Sequence, residues 1–397
     1  MDIAVAQSGG PTCAINSSLM GVFKQALKSA QIDKIYGSKN GIEGILNNEL
    51  ICLNTAISSE DDIRIIKQTP SSVLGSCRFK LPDFEIDSKP YEIVLKRFEE
   101  MGIGAFFYIG GNDSMDTVAK LSAYFKSVNA DISVMGIPKT IDNDLCFTDH
   151  TPGFGSAAKF VATTIKEITR DNSVYFLDSV IIVEIMGRNA GWLAASSCVL
   201  HSDDEVSPHL IYLPECEFSV DEFINDLKDE IAKHKTVIVV VSEGISVGDT
   251  SSEKTDAFGH KDLAGVGKKL ENIVKQRLGC KVRSIELNVL QRCSSHIASK
   301  NDIEEAEEIG AAAVISMLQG ETGKMMCFKR EADSPYKITI QSVDAASVAN
   351  KEKLFPLEWI NEKQNNVKNE AIIYFTPLIS GEQEIEYKNG IPVHFKL

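Results

Sequence analysis

The sequence lacks the features that mark membrane, secreted and nucleic-acid-binding proteins. It contains no run of about 18 apolar residues, so no membrane span is predicted. None of its nine cysteines forms a C-x-x-C pair, and their odd number favours reduced thiols over a disulfide framework or a zinc site. The N-terminus has no basic region, which argues against a signal peptide. The scattered cysteines therefore predict a cytoplasmic protein. The formal net charge of −15 disfavours nucleic-acid and anionic-membrane partners.

The length and the pattern of apolar residues predict the fold class. At 397 residues the chain exceeds the size at which a single core stops growing, so two domains are expected. Apolar strands alternate with segments of helical periodicity, and almost every polar motif follows the end of a strand. No repeat of fixed period is present. We therefore predict an α/β protein with two doubly wound, Rossmann-like parallel-sheet domains.

Three predicted strands end in glycine-rich or polar loops. Ser8–Gly10 follows the first strand, and Gly110–Ser114 follows a strand near residue 105. Pro138–Asp144 follows a third strand and carries an amine, a hydroxyl, an amide and two carboxylates. Each loop alone is equally compatible with a solvated turn that binds no ligand. Because ligands bind at the carboxyl ends of strands in open α/β sheets, the three loops together favour one ligand crevice.

Two regions carry less information about function. Residues 246–262 are polar and contain glycine, and they predict a loop. The last seventy residues, roughly, are rich in lysine and glutamate and have no glycine turn after an apolar strand. We expect them to form peripheral structure.

An ordered series of motifs extends from near residue 1 to about residue 320. The motifs are Ser8–Gly10, Gly75–Phe79, Ile109–Ser114, Pro138–Asp144, Gly153–Phe154, Glu184–Arg188, Ser242–Gly244 and Leu290–Arg292. In this series the sequence resembles the phosphofructokinase family. The resemblance implies reversible phosphorylation of fructose 6-phosphate at its 1-hydroxyl in glycolysis, with Mg²⁺, by a homodimer or homotetramer. It also suggests a phosphoryl-donor domain, residues 1–145 plus about 265–310, and a fructose-6-phosphate domain, residues 146–264 plus about 311–397.

The resemblance implies catalytic roles for five residues. Asp142 matches the base that removes the proton from the sugar hydroxyl, and Asp144 matches a second carboxylate near the attacking group and the metal. An aspartate beside Lys139 should stay ionised at pH 7 and accept a proton. Thr140 can donate to a phosphate oxygen, while Lys139 and Arg78 would neutralise charge on the transferred group.

The remaining site residues are assigned by the same resemblance to the donor, the sugar phosphate and the metal. The donor residues are Gly10, Arg78, Asp113 and Lys139. The sugar-phosphate residues are Thr140, Asp142, Met186, Gly187, Arg188, Glu243 and Arg292, together with Arg283, which matches an arginine that reaches the 6-phosphate across a subunit boundary. The candidate metal ligands are Asp113 and Asn112, the latter standing where the family usually has aspartate.

The residue at position 113 suggests which donor is used. ATP-using members typically carry glycine there, which leaves room for the α-phosphate, whereas this chain has Asp113. A carboxylate facing a second anion in a pocket costs on the order of several kcal/mol. We therefore expect pyrophosphate as the donor. The alternatives are an ATP-dependent 6-phosphofructokinase and a non-catalytic, sugar-phosphate-binding regulatory subunit, and the presence of Asp142 argues against the latter.

Overall fold

A computed structural model of the chain describes residues 1–174, 177–203, 206–248 and 265–397. Most of the predicted polar loop, residues 249–262, lies outside the described residues. The strands are β1 Asp2–Gln7, β2 Ile35–Ser38, β3 Leu50–Cys52, β4 Ile103–Gly110, β5 Ser133–Pro138, β6 Ser179–Ile185, β7 Leu210–Tyr212, β8 Thr236–Ser242, β9 Lys281–Glu286, β10 Lys324–Asp333, β11 Tyr336–Asp344, β12 Tyr387–Lys388 and β13 Ile391–Pro392.

Helices connect most of these strands. The α-helices are α1 Ile15–Leu27, α2 Ile42–Leu46, α3 Leu53–Ala56, α4 Glu60–Gln68, α5 Lys89–Met101, α6 Asn112–Ser127, α7 Phe154–Ser173, α8 Trp192–Ala195, α9 Val220–Ile231, α10 Val266–Leu278, α11 Leu290–Cys293, α12 Lys300–Leu318, α13 Ala345–Val348 and α14 Asn369–Phe375. Short 3-10 helices span Ser196–Asp203, Ser295–Ile297, Leu357–Trp359 and Thr376–Ile379. Helix α4 begins with a capping box, in which the Ser59 side chain accepts from the backbone N–H of Asp62 and the Asp62 carboxylate accepts from the backbone N–H of Ser59.

Two large sheets organise the described part of the chain, and β12 and β13 form a separate two-stranded sheet. The first has the strand order β11-β10-β5-β4-β1-β2-β3, in which only the edge strands β3 and β11 run antiparallel to their neighbours. The second has the order β7-β8-β6-β9 and is parallel throughout. The prediction of an α/β protein with two parallel sheets is therefore confirmed.

Helices cover both faces of each sheet, because successive side chains of a strand point to opposite faces. In β1, Ile3 packs in the core that contains α1 and α12, whereas Ala4 packs with α5 and α6. In β6, Val183 packs with α7 and α14, whereas Ile182 packs with α9 and α10. This arrangement is the predicted doubly wound architecture.

Two late segments belong to other sheets than expected. Strand β9 lies within the segment expected beside the first sheet, yet it pairs with β6 in the second. Strands β10 and β11 lie in the segment expected beside the second sheet, yet β10 pairs with β5 in the first. The reason is that each of these strands pairs with a strand that is distant in the sequence. Local periodicity does not reveal which sheet has an edge free for that pairing. The division into domains over the rest of the chain stays a prediction.

Two sequence features, the cysteines and the lack of long apolar runs, have structural counterparts in the described residues. The nine cysteines are free thiols, in agreement with the absence of a C-x-x-C pair. None of the helices in the described ranges has the length and apolar character that crossing a bilayer requires.

Candidate active site

A cavity of about 280 Å³ lies at the carboxyl ends of β1, β4 and β5, where loops following β6 and β8 face them. The structure brings together most of the predicted site residues here. Those lining the cavity are Gly10, Arg78, Asn112, Asp113, Lys139, Thr140, Asp142, Asp144, Met186, Arg188, Glu243 and Arg292. Gly187 and Arg283 are not among them. The three glycine-rich or polar loops of the first sheet therefore converge on one crevice.

Lys139 connects the Pro138–Asp144 loop to the first glycine turn. Its side chain is buried, and its Nζ donates to the carbonyl oxygen of Gly10 over 2.7 Å. A Cβ atom on Gly9 would lie 3.2 Å from this Nζ, and Gly9 has a φ of +75°, so both space and backbone conformation favour glycine. Burial lowers the pKa of Lys139 to about 8, although the carboxylates of Asp142 and Asp144 oppose this shift. The ammonium group is therefore charged at neutral pH and fixed beside the glycine turn.

The two candidate carboxylates, Asp142 and Asp144, lie on either side of Asn143. Asn143 is buried and has a φ of +54°, a left-handed conformation that asparagine tolerates better than most residues. The backbone N–H of Asp142 donates to Thr140 Oγ1 over 3.1 Å, and Thr151 Oγ1 donates to the carbonyl oxygen of Thr140 over 2.9 Å. These contacts hold the loop in a turn that presents both carboxyl groups to the cavity.

Burial shapes the acid–base properties of the two carboxyl groups. It raises the pKa of Asp142, the Glu243 carboxylate raises it further, and nearby cations, Arg188 first, act in the opposite direction. Burial likewise raises the pKa of Asp144, with the charge of Asp142 as the next contribution. The sequence-based argument considered only Lys139, so it missed these opposing effects. A carboxylate with a raised pKa is a stronger base than an exposed one, which suits proton abstraction.

The two candidate metal ligands, Asn112 and Asp113, have different partners in the structure. Asn112 Oδ1 accepts from the backbone N–H of Asn350 over 2.5 Å, and its Nδ2 donates to the carbonyl oxygen of Lys351 over 2.6 Å. Both polar atoms of the Asn112 side chain thus contact the C-terminal region, and its role as a metal ligand stays a prediction. Asp113 lines the cavity, is about half exposed, and lies 3.7 Å from the Nζ of Lys80.

No protein-only metal centre is present in the described ranges, where no three His, Cys, Asp or Glu side chains are grouped to hold an ion. Mg²⁺ is commonly bound by one or two carboxylates together with substrate phosphates. Asp113 is a carboxylate of that kind, because it lines the same cavity as the glycine turn.

The loops of the second sheet form the opposite side of the cavity. Glu243 Oε1 accepts from the backbone N–H of Gly187 over 3.2 Å, and Ser242 Oγ donates to the carbonyl oxygen of Gly187 over 2.6 Å. A Cβ atom on Gly244 would lie 1.8 Å from the carbonyl oxygen of Arg188, so only glycine fits there. Gly187 thus supports Glu243 and Arg188, which line the cavity, as does Met186.

Arg283 lies away from this cavity. It is an exposed residue of β9, the edge strand of the second sheet. It lines a separate cavity of about 80 Å³ together with Lys281 and Ser179. Its role at a neighbouring subunit's site stays a prediction from the family resemblance.

The C-terminal region contributes residues that the sequence did not reveal. Glu352 lines the cavity, and both of its carboxylate oxygens accept from Asn189 Nδ2 at 3.0 Å. The expectation that the last seventy residues are peripheral is therefore wrong, since they also supply β10 and β11 to the first sheet. The run Asn350–Lys353 is polar and charged, and nothing in its pattern distinguishes it from a solvated surface loop.

Comparison with known proteins agrees with this geometry. A profile of the phosphofructokinase family matches residues 2–317. The pyrophosphate–fructose 6-phosphate 1-phosphotransferase of Halomonas elongata is 38% identical over 399 residues, a match that covers 99% of this chain and 95% of that protein. The enzyme of the same name from Methylococcus capsulatus is 37% identical over 399 residues, with 99% and 94% covered.

Solved structures give the same result. The crystal structure of a pyrophosphate-dependent phosphofructokinase from Marinobacter aquaeolei is similar to this chain, with a TM-score of 0.89 and 37% sequence identity. The match covers 99% of this chain and 95% of that one. The similarity thus includes the C-terminal region that lies beyond the family profile.

Proposed function

Because the chain belongs to the phosphofructokinase family, we propose that it transfers a phosphoryl group from pyrophosphate to the 1-hydroxyl of fructose 6-phosphate, forming fructose 1,6-bisphosphate and orthophosphate. One observation carries the proposal. Asp142, a carboxylate with a raised pKa, lines the same cavity as the glycine turn bound by Lys139 and as Arg188 and Glu243. A base, an anion cradle and a polar pocket for a sugar phosphate are thereby available in one crevice.

In the proposed reaction, the 1-hydroxyl oxygen attacks one phosphorus atom of pyrophosphate. A new oxygen–phosphorus bond forms, the bridging oxygen–phosphorus bond breaks, and orthophosphate leaves. Asp142 accepts the hydroxyl proton as the hydroxyl becomes acidic during bond formation. Lys139 and Arg78 offset the negative charge that spreads over the transferred group. The reverse reaction uses the same groups, with protonated Asp142 as the acid.

The second-sheet side of the cavity suits the sugar phosphate. Arg188 and Arg292 carry guanidinium groups, which bind phosphate oxygens in a planar, forked geometry. Glu243 is oriented by the backbone N–H of Gly187 and can accept hydrogen bonds from sugar hydroxyls. Arg283 would complete the site from a neighbouring subunit, so we propose a homodimer or homotetramer; sedimentation velocity of the purified protein tests this assembly.

Asp113 supports pyrophosphate over ATP. It stands in the first turn of α6, whose free backbone N–H groups attract an anion, and its carboxylate lines the cavity. The α-phosphate of a nucleotide would have to approach this carboxylate, whereas pyrophosphate ends before it. The negative charge of Asp113 therefore discriminates against the longer donor.

We further propose Mg²⁺ as the cofactor and the cytoplasm as the location. Asp113 would hold the ion together with donor phosphate oxygens. When bound, Mg²⁺ polarises phosphoryl oxygens and neutralises their charge. The free cysteines are in agreement with a reducing compartment.

A donor assay tests the proposed function. Formation of fructose 1,6-bisphosphate is followed with pyrophosphate or ATP, with and without Mg²⁺, and with Asp142→Asn as the blank. We expect turnover with pyrophosphate and Mg²⁺ and little with ATP. Activity with ATP and none with pyrophosphate would identify an ATP-dependent kinase. Binding of fructose 6-phosphate without turnover of either donor would identify a regulatory subunit.

A further inference from the structure

A short C-terminal segment, Asn350–Phe355, crosses the edge of the active-site cavity, and we call it the strap. Its backbone at positions 350 and 351 binds the side-chain amide group of Asn112, the first residue of α6. Its Glu352 forms an antiparallel bridge with Leu145 and binds Asn189 on the second-sheet side of the cavity. The strap thus contacts the loops of both sheets that surround Asp142.

Lys353 of the strap contacts the segment Asn143–Asp149, which begins in the Pro138–Asp144 loop. Its Nζ donates to Asn143 Oδ1 at 3.3 Å, to the carbonyl oxygen of Thr148 at 3.0 Å and to that of Asp149 at 2.7 Å. An ammonium group has three N–H donors, so this set uses all of them. The same Nζ lies 4.8 Å from the centre of the Trp192 ring, a favourable cation–π distance. All three donors of the Lys353 side chain are therefore occupied by Asn143, Thr148 and Asp149, and none remains for substrate.

The acceptor Asn143 is the residue between the two active-site carboxylates. Its Oδ1 accepts from Lys353, and its Nδ2 donates to the Tyr374 hydroxyl over 3.0 Å. That hydroxyl in turn donates to the carbonyl oxygen of Asp149 over 2.6 Å. Asn143 has a positive φ, a conformation that asparagine adopts more readily than most residues and that contacts of its side chain can stabilise further. Contacts to Lys353 and Tyr374 provide that stabilisation.

The backbone of the strap also binds Asp144, the second of the two carboxylate residues. The backbone N–H of Lys353 donates to the carbonyl oxygen of Asp144 over 2.7 Å. The residue's side chain and main chain therefore hold Asn143 and Asp144, adjacent residues of the same turn. Burial lowers the pKa of Lys353 to about 8, against the effect of the Asp149 and Asp144 charges, so the ammonium is charged at neutral pH. Because all three donors of the ammonium group are satisfied, the cost of removing its charge from water is offset.

We propose that Lys353 is a positioning residue for phosphoryl transfer: by binding Asn143 and the carbonyl groups of Thr148 and Asp149, it holds the turn that aims Asp142 at the sugar hydroxyl. The proposal rests on the proposed phosphoryl transfer but not on the identity of the donor. Misplacing a catalytic group by about 1 Å can cost on the order of 100-fold in rate without weakening substrate binding. Lys353 therefore acts on kcat through Asp142, with no contact to the substrate.

The test measures kcat and KM for both substrates in Lys353→Met, which keeps the length and removes the ammonium group. We expect kcat to fall by roughly 10- to 100-fold and both KM values to change by less than about twofold. The matched control is Lys363→Met, which changes an exposed lysine of the same C-terminal region and should keep wild-type kcat. Active-site titration or the fraction of folded protein corrects each kcat for inactive material.

Asn143→Ala removes the acceptor instead of the donor, and it tests the same contact should Lys353→Met be insoluble. It should also lower kcat with both KM values kept. In the double variant the fall in kcat should be smaller than the product of the two single effects, because both changes remove the contact between Lys353 and Asn143. Additive effects, wild-type kcat in Asn143→Ala, or a rise in KM at constant kcat would each overturn the proposal.

The outcomes also separate this proposal from the proposed function. Wild-type protein is assayed first with pyrophosphate and with ATP. No turnover with either donor would contradict phosphoryl transfer itself. Turnover with either donor, together with wild-type kcat in folded Lys353→Met, would overturn only the role of Lys353.

Discussion

The two sides of the cavity hold their charged residues in different ways. On the first-sheet side, Lys139 is buried and reaches across to the carbonyl oxygen of Gly10, more than a hundred residues earlier in the chain. On the second-sheet side, Glu243 and Arg188 lie on the neighbouring loops after β8 and β6, and backbone contacts of Gly187 and Gly244 hold them. The first side therefore has charges whose ionisation depends on burial. The second combines the Arg188 guanidinium group, whose planar fork suits phosphate oxygens, with the Glu243 carboxylate. This difference predicts that the first side controls chemistry and pH dependence, and the second controls sugar binding.

The strongest test of the first side is Asp142→Asn, which keeps the shape and removes the base. We expect kcat to fall by about 1,000-fold, within the range of roughly 100 to 10,000 for loss of general base catalysis, with little change in KM. Because burial raises the pKa of Asp142, the ionised form destabilises the fold at neutral pH. The neutral variant should therefore unfold at the same temperature as wild type or at a higher one. A kcat within tenfold of wild type would exclude Asp142 as the base.

The matching test of the second side is Arg188→Met. Loss of a charge-assisted hydrogen bond to phosphate costs about 1.5–3 kcal/mol, which corresponds to a rise of roughly 10- to 100-fold in KM for fructose 6-phosphate. KM for pyrophosphate should stay within about twofold of wild type. Steady-state kinetics with each substrate varied in turn gives both values. An equal rise in both KM values would show that the two sides are not separate.

The pH dependence sharpens the comparison with a smaller effect. Burial lowers the pKa of Lys139 from 10.5 to about 8, so the ammonium loses its proton as the pH rises through that value. Activity should therefore decline several-fold on the alkaline side. Lys139→Arg keeps its charge there, so its activity, although lower overall, should lose this decline. The pH profile of kcat in the two proteins measures the effect. A decline unchanged in the variant would assign it to another group, such as Lys353, whose pKa is also lowered to about 8.

The smallest expected effect concerns the donor. Asp113→Gly removes bulk and a negative charge from the cavity, so it should permit slow turnover with ATP while pyrophosphate stays the better donor. Asp131→Gly, at an exposed residue, changes the net charge equally and should not permit ATP use. The measurement is the ratio of kcat/KM for the two donors. An unchanged ratio in Asp113→Gly would contradict the argument from size and charge.

Local patterns predicted most of the elements that build the site. The strand ending at Pro138 and the turn at Gly9 follow from apolar alternation and glycine's tolerance of positive φ, which act over a few residues. Residue types in the loops, read with the family resemblance, also selected site residues of which all but Gly187 and Arg283 line the cavity.

Other features were missed because they depend on partners far away in the sequence. The Asn112 amide binds a backbone more than two hundred residues later, a contact that its sequence neighbours do not indicate. Lys353 looked like a surface charge, yet it contacts Asn143. Neither contact leaves a periodic signal, because each involves a single side chain and a distant backbone or loop.

By itself, the sequence determined the α/β class, the strand–loop–helix order and the chemical groups at the strand ends, since these depend on interactions between near neighbours in the chain. Only the tertiary structure decided which sheet received β9, β10 and β11, where the strap lies, and how strongly Lys139 and Asp142 are shifted in pKa. Sheet membership, burial and charge coupling are properties of segments brought together from distant positions. They exist only once the chain has folded.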